Sequence, residues 1–215
     1  GGVAKYFSQK FAQVTNPPLD SIREADGMTL RVSLGSKSEF KKKINPQIVL
    51  NSPILKFEDL LKIKLQKFTP TQTFEILYEP NYDNSQLNEK LLENAIHNIC
   101  SEINNFVRSG GEIIIISDLN VSDKKAVIPL IMVISAINQS LIENGLRFKS
   151  SIVAESGQIS TSHHIACSLG FGASAVYPTS VQLRIEEKFS ENSQEAYVKF
   201  IKASEKSLLK IMGKV

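Results

Sequence analysis

The residues best placed to do chemistry in this chain fall just after three apolar runs. Ser117, Asp118, Asn120 and Asp123 follow the first, Glu155, Ser156 and Gln158 the second, and Tyr177, Pro178 and Thr179 the third. Loops at the carboxyl ends of parallel strands are where α/β folds carry function. If the runs are neighbouring strands, Asp118 and Glu155 can approach each other, and paired carboxylates share a proton or hold a cation. The competing reading is structural: an acidic residue after a strand caps the next helix or accepts from loop amides. Other candidates are weaker. His163 and His164 are adjacent, and on a helix their side chains diverge by about 100°, so one packs and the other hydrogen-bonds. Neither Cys100 nor Cys167 has a histidine placed as its base; both read as buried free thiols, and with no CxxC pattern they build neither a zinc ribbon nor an iron–sulfur site. Gly170-Phe171-Gly172 lies after a helix and before a strand, the reverse of a phosphate-cradling loop, and reads as a helix stop with a tight turn.

The elements that must position these residues are legible from periodicity. A helix is expected from Asp83 or Asn84 to Arg108, with Leu87, Leu91, Ala95, Ile99, Ile103 and Phe106 on one broad face, ended by Ser109-Gly110-Gly111. Ile113-Ile114-Ile115-Ile116 is an unbroken β-branched run, as a parallel strand covered on both faces requires. Further strands are expected over 29–34, 73–78, 151–154 and 173–176, with helices over 57–66, 128–143, 161–169, from about 181, and from 193. Strand and helix alternate from residue 73 onward, which predicts an α/β fold: a parallel sheet with right-handed β/α crossovers, open or partly barrel-like. Residues 1–72 read as an irregular N-terminal region and 73–215 as the β/α units. The last helix sets Lys202, Lys206 and Lys210 against Phe200, Ile201, Ala203 and Leu208, a solvated stripe beside a packing one.

Composition narrows the class. The 215 residues carry 25 basic and 22 acidic side chains, a net charge of +3, far from the basic excess of a nucleic-acid binder. The one dense basic run is Lys41-Lys42-Lys43, with a looser set at Lys62, Lys64 and Lys67, and both read as solvated faces. No apolar run reaches the roughly 18 residues of a membrane span. The chain opens on Gly1-Gly2-Val3 and stops on Lys214-Val215 while still helical, so both ends read as cuts through a longer polypeptide.

Phe11-Ala12-Gln13-Val14-Thr15-Asn16-Pro17-Pro18-Leu19-Asp20-Ser21-Ile22-Arg23-Glu24 closely resembles a stretch of glutamate synthase large subunits. Further resemblances follow in order at Asn51-Ser52-Pro53-Ile54-Leu55, Ile115-Ile116-Ser117-Asp118, Glu155-Ser156-Gly157 with His163-His164, the 169–178 segment, and Leu209-Lys210-Ile211-Met212-Gly213-Lys214. Together they cover nearly the whole chain and place it at the family's central domain. Leu119, Gln158, Ile159, Asn138, Gln139 and Tyr177 depart from the family's pattern.

The resemblance implies a topology similar to a TIM-type flavin barrel. It implies a non-catalytic link between the glutaminase and FMN-binding synthase domains of one polypeptide. Ammonia released from glutamine passes that way to 2-oxoglutarate. The resemblance further implies that FMN and a 3Fe–4S cluster belong to the parent enzyme and not to this domain, and that Thr15 and Asn16 help wall the ammonia path. It implies a cytoplasmic setting, or a plastid stroma in a photosynthetic source, and reduction by ferredoxin or NAD(P)H; charge and hydropathy lead us to expect neither nucleic-acid nor membrane partners. The contrasting expectation is a stand-alone barrel-like binder or enzyme of small molecules built on Asp118, Glu155 and Tyr177.

Overall fold

A computed structural model describes residues 28–37 and 46–213, together with Val3. Thr15 and Asn16 lie outside the described residues. A short antiparallel ribbon comes first, with β1 (Val32–Leu34) paired to β2 (Ile48–Leu50). Helix α1 (Phe57–Leu65) follows. The β/α units then run β3 (Thr71–Glu75), α2 (Asn88–Arg108), β5 (Ile113–Ser117), α3 (Leu130–Glu143), β7 (Ser151–Ser156), α4 (Ser162–Gly170) and β8 (Ala175–Pro178). Two short strands, β4 (Leu77–Tyr78) and β6 (Ala126–Val127), pair antiparallel beside the sheet, and α5 (Thr179–Lys188) and α6 (Ser193–Met212) close the chain.

The main sheet is four-stranded and parallel, in the order β3-β5-β7-β8. The order never reverses. Right-handed crossovers between strands laid down sequentially put every connecting helix on one face, and α2, α3 and α4 form such a layer, each against the next. This is the winding of a barrel segment, and among the described residues the sheet stays open. The opposite face meets α1, through Lys64 on Glu155 and Phe57 beside Tyr177, and the end of the β1–β2 ribbon, through the Gly35 amide on Ser151 Oγ. The central strand therefore has protein on both sides, and Ile113, Ile114, Ile115 and Ile116 are each 0% exposed. Full burial of such a side chain contributes roughly 1.5–3 kcal/mol, so this tetrad alone outweighs any single polar contact in the molecule.

The three helices of the layer end alike. In α2 the Gly110 and Gly111 amides donate back to Val107 and Phe106, in α3 the Gly145 and Leu146 amides to Ile142 and Leu141, and in α4 the Gly172 and Ala173 amides to Leu169 and Ser168. Each is a Schellman motif with glycine at the left-handed position, which satisfies carbonyls the helix leaves open and turns the chain toward the next strand. Gly172 is the most constrained, with φ of +127°. A Cβ there would stand 2.7 Å from Asn138 Cγ. Asn138 cannot give way, because its Oδ1 accepts from Arg147 Nε at 2.5 Å while the same guanidinium donates to the Gly172 carbonyl at 2.9 Å.

Several elements differ from the sequence-based expectation. The strand expected over 73–78 is two strands in two sheets. Ile76 still donates to Ser117 O at 2.9 Å, but its own carbonyl accepts from Ile128 at 3.0 Å, which turns the chain out toward β6. The long helix starts at Asn88, because Asn81 and Asn84 first spend their side-chain oxygens on the amides of Asp83, Asn84 and Gln86, holding a 3-10 turn over Ser85–Leu87. Strands β7 and β8 run two residues further than periodicity suggested, to Ser156 and Pro178.

Gly172→Ala is expected to cost about 1–3 kcal/mol of stability through its positive φ and the blocked Cβ position. Urea denaturation should show a lower midpoint with an unchanged slope.

Candidate functional site

The carboxyl edge of the sheet is built by the last residues of β3, β5 and β7, the turns after them, and α1 lying across the face opposite the helix layer. The extended strands make Glu155, Ser156, Tyr177 and Pro178 strand residues, not loop residues. That placement settles where their side chains go, since alternate residues of a strand face opposite ways. Ser117 is level with Glu155, and Glu155 with Tyr177. Asp118 is thus in step with Ser156 on the helix-layer side, whereas Glu155 and Tyr177 face α1.

Asp118 and Glu155 are consequently neighbours in backbone but not in carboxylate. The Asp118 amide donates to the Glu155 carbonyl at 3.3 Å, and their side chains serve different partners. Asp118, 6% exposed, accepts from Ser156 Oγ at 2.5 Å and from the Gly157 amide at 3.0 Å. Ser156 Oγ in turn accepts from the Gln158 amide at 3.1 Å. This is the loop-amide role set out above as the structural reading of an acid after a strand. Glu155, 2% exposed, receives Lys64 Nζ on both oxygens at 2.9 and 2.7 Å. No shared proton joins the pair.

Tyr177 lies beside this ion pair, with the Phe57 ring 6.3 Å away. Burial, and after it the Glu186, Glu155 and Glu58 carboxylates, push its phenol up to about 12. On the opposite edge strand, β3, Glu75 takes a hydrogen bond from Asn120 and one from Lys125 at 3.2 Å; the Asn120 contact foremost, then Lys125, lowers its pKa.

Gln158 has a role that periodicity did not show. Its Oε1 accepts from the Leu130 amide at 3.0 Å and its Nε2 donates to the Ile128 carbonyl at 3.0 Å. It clamps both sides of Pro129 and caps the start of α3 from the next unit, which the proline cannot do for itself. Lys64 was visible in the sequence only as part of a basic set, and nothing local marks it as the partner of a residue 91 positions away.

The remaining candidates are partly corrected. Thr161 Oγ1 caps α4 by accepting from the His164 amide at 3.2 Å. His164 Nδ1 stands 3.2 Å from Ser160 Oγ. His163 Nε2 lies 3.6 Å from Cys167 Sγ, so one cysteine does have a histidine beside it, one helical turn away. Burial pushes the Cys167 thiol up, the opposite of an activated nucleophile. Both cysteines are half-buried, not fully buried as expected. Among the described residues, no group of three or more His, Cys, Asp or Glu side chains is placed to hold a metal ion. A cavity of about 330 Å³ opens between the starts of α1 and α6, lined by Phe57, Glu58, Gln182, Glu195, Tyr197 and others. Asp118, Glu155 and Tyr177 do not line it. Chemically, the two buried carboxylates of the edge, Asp118 and Glu155, are already satisfied, an arrangement suited to holding loops in place.

Comparison with known proteins agrees in sequence over nearly the full length. The family model described as glutamate synthase central domain matches residues 2–215. A ferredoxin-dependent glutamate synthase from Cyanidium caldarium is 35% identical, covering 98% of this chain and 15% of its own length. Ferredoxin-dependent glutamate synthase 1 of Arabidopsis thaliana, described as chloroplastic/mitochondrial, is 34% identical with 98% and 14% covered. The large chain of an NADPH glutamate synthase from Bacillus subtilis is 29% identical over the same shares. The chain thus spans about one-seventh of the length of the curated relatives it matches. Among solved structures, a flavocytochrome b2 variant with sulfite bound matches with a TM-score of 0.48 and 13% identity, over 74% of this chain and 35% of that one.

Two expectations follow from this edge. Lys64→Met leaves the Glu155 carboxylate buried without its cation. It should cost about 2–3 kcal/mol, the low end for a broken buried pair because the Lys64 side chain is 29% exposed, and adding Glu155→Gln should return part of it in a double-mutant cycle. For Tyr177 the folded-state pKa lies above the unfolded one. Its contribution is therefore intact below about pH 10 and lost as pH rises toward 12, a fall of about 2–3 kcal/mol. Tyr177→Phe should flatten alkaline unfolding in that window.

Proposed function

The chain belongs to the glutamate synthase central-domain family, and we propose that in the full polypeptide it is the linking domain between the glutaminase and FMN-binding synthase domains. In that role it joins glutamine hydrolysis to the formation of glutamate from 2-oxoglutarate and contributes to the wall of the ammonia path. Residues 1–72 and 73–215 act together as this one domain. The observation that carries the proposal is the pairing of two facts. The family match runs through the whole chain, while the groups at the sheet edge that would do chemistry in an enzyme are bound to one another as scaffold.

The parent enzyme's cofactors belong to other segments. Two cysteines, set on α2 and α4, cannot supply the thiolates of a 3Fe–4S cluster. The Gly170 and Gly172 pair sits at a helix C-terminus, where it satisfies carbonyls and presents no cradle of amides to a flavin phosphate. Thr15 and Asn16 remain the proposed tunnel-wall residues; Pro17 and Pro18 follow them in sequence, and a wall that keeps a passage open benefits from the restricted backbone proline imposes. No helix among the described residues is long and apolar enough to cross a membrane. We place the protein in the cytoplasm, or in the plastid stroma if its source is photosynthetic.

The native gene product is expected to be several times longer than 215 residues and to carry FMN. In that product, Asn16→Trp should lower glutamate formed per glutamine hydrolysed while leaving glutamine hydrolysis and ammonia-dependent glutamate synthesis in place. Equal loss of all three activities would remove Asn16 from the ammonia path. A native product consisting of this region alone would instead favour a small-molecule binder using Asp118, Glu155 and Tyr177.

A further inference from the structure

Helix α1 is apolar on two sides. Leu60 and Ile63 are buried against the sheet, at 1% and 2% exposure. Along the flank of that buried face Phe57, Leu61 and Leu65 follow one another at i, i+4, i+8, and Phe68 continues the row just past the helix end; they are 53%, 41%, 67% and 53% exposed, and Phe57 also packs on the Tyr177 ring at 6.3 Å. Residues four apart on a helix stack into one ridge. The ridge is held in place, because Gln66 Oε1 accepts from the Phe68 and Thr69 amides at 3.0 and 2.8 Å and Lys64 is tied to Glu155. Its flanks are charged, with Glu58 and Lys62 exposed along one side and Lys67 exposed at the end. An apolar centre with a charged rim is the anatomy of an interface.

The size of the ridge indicates what covers it. Four side chains of roughly 150–200 Å² each, about half exposed, leave on the order of 350–400 Å² of apolar surface. Free partners, or two copies of one chain, need about 800 Å² apiece for a stable association. A domain joined through the same polypeptide needs less, because tethering holds it at an effective concentration near millimolar. The curated relatives carry this region as 14–15% of their length, so such neighbours are present on their chains.

We propose that the exposed ridge of α1, formed by Phe57, Leu61, Leu65 and Phe68, is the docking surface for another domain of the same polypeptide. That domain meets it with an apolar patch bordered by carboxylates facing Lys62 and Lys67. The proposal rests on the linking role above and adds to it the element that makes the contact: α1, which stands on the sheet face away from the connecting helices.

The test uses the full-length protein with Leu65→Cys, a change at a side chain 67% exposed here and so neutral to the fold of this domain. Maleimide labelling at that cysteine is read by peptide mass spectrometry, native against urea-unfolded, with glutamate synthesis as the check on folding. Labelling at least about tenfold slower in the native protein is expected, as for a site closed more than about 90% of the time. Native and unfolded rates within about twofold of each other would show that the ridge faces water. That result would overturn this proposal and leave the linking role standing. Protection that disappears on dilution to the monomer would assign the ridge to a second copy and overturn it as well. A native gene product consisting of this region alone would bring down both.

Discussion

Four parallel strands laid down in the order of the chain leave the molecule with an obligation. Because every crossover is right-handed, α2, α3 and α4 all land on one face, and the other face of a sheet whose central strand is Ile113-Ile114-Ile115-Ile116 must find cover elsewhere. A closed barrel meets that need with more strands, and a doubly wound sheet with helices from a reversed strand order. Here the polypeptide ahead of the sheet does it. The β1–β2 ribbon and α1 lie across the bare face, with Leu34, Leu55, Leu60 and Ile63 buried in the common core.

The same demand explains where polar groups sit. Covering the second face carries Lys64 of α1 and the residues after β1 over the strand ends, where Glu155 and Glu112 lose water, while Asp118 is buried on the helix-layer side. Each is then met by a donor of its own. At the amino edge Glu112, 1% exposed, accepts from the Ser36 amide at 2.9 Å, and Ser151 Oγ accepts from the Gly35 amide at 3.1 Å, fastening the ribbon to the sheet. At the carboxyl edge Lys64 reaches Glu155, and Ser156 with Gly157 satisfies Asp118. A buried ion pair adds little net stability but costs several kcal/mol when one partner is removed. Such contacts act as register marks: they admit one placement of α1 on the sheet and penalise others. An edge with its charges committed in this way holds its own loops and α1 in place.

How much of this could be read in advance depended on the range of the interaction. The β/α alternation, the isoleucine strand and the glycine stops after α2, α3 and α4 are local patterns, and they identified the parallel sheet. Strand ends were less legible: Glu155 and Tyr177 looked like loop residues because polar side chains at the end of a buried strand break its apolar run. Their burial comes from α1, which no window around residue 155 contains. For the same reason Lys64 passed as one of several surface lysines, and Gln158 as a departure from a motif, when it caps a helix belonging to the preceding unit. Cys167 and His163 were a missed local signal, since four-residue spacing on a helix was enough to place them together.

The sequence by itself determined the class of fold and the family, because hydrophobic period, turn chemistry and a distinctive run of motif residues are all written along the chain. Only the tertiary structure decided that the sheet is singly wound and, among the described residues, open, that Asp118 and Glu155 face opposite ways, and that α1 keeps an exposed apolar ridge. Those outcomes rest on which strand lies beside which and on what covers each face. Neither is carried by neighbours in sequence, so neither exists until distant segments pack.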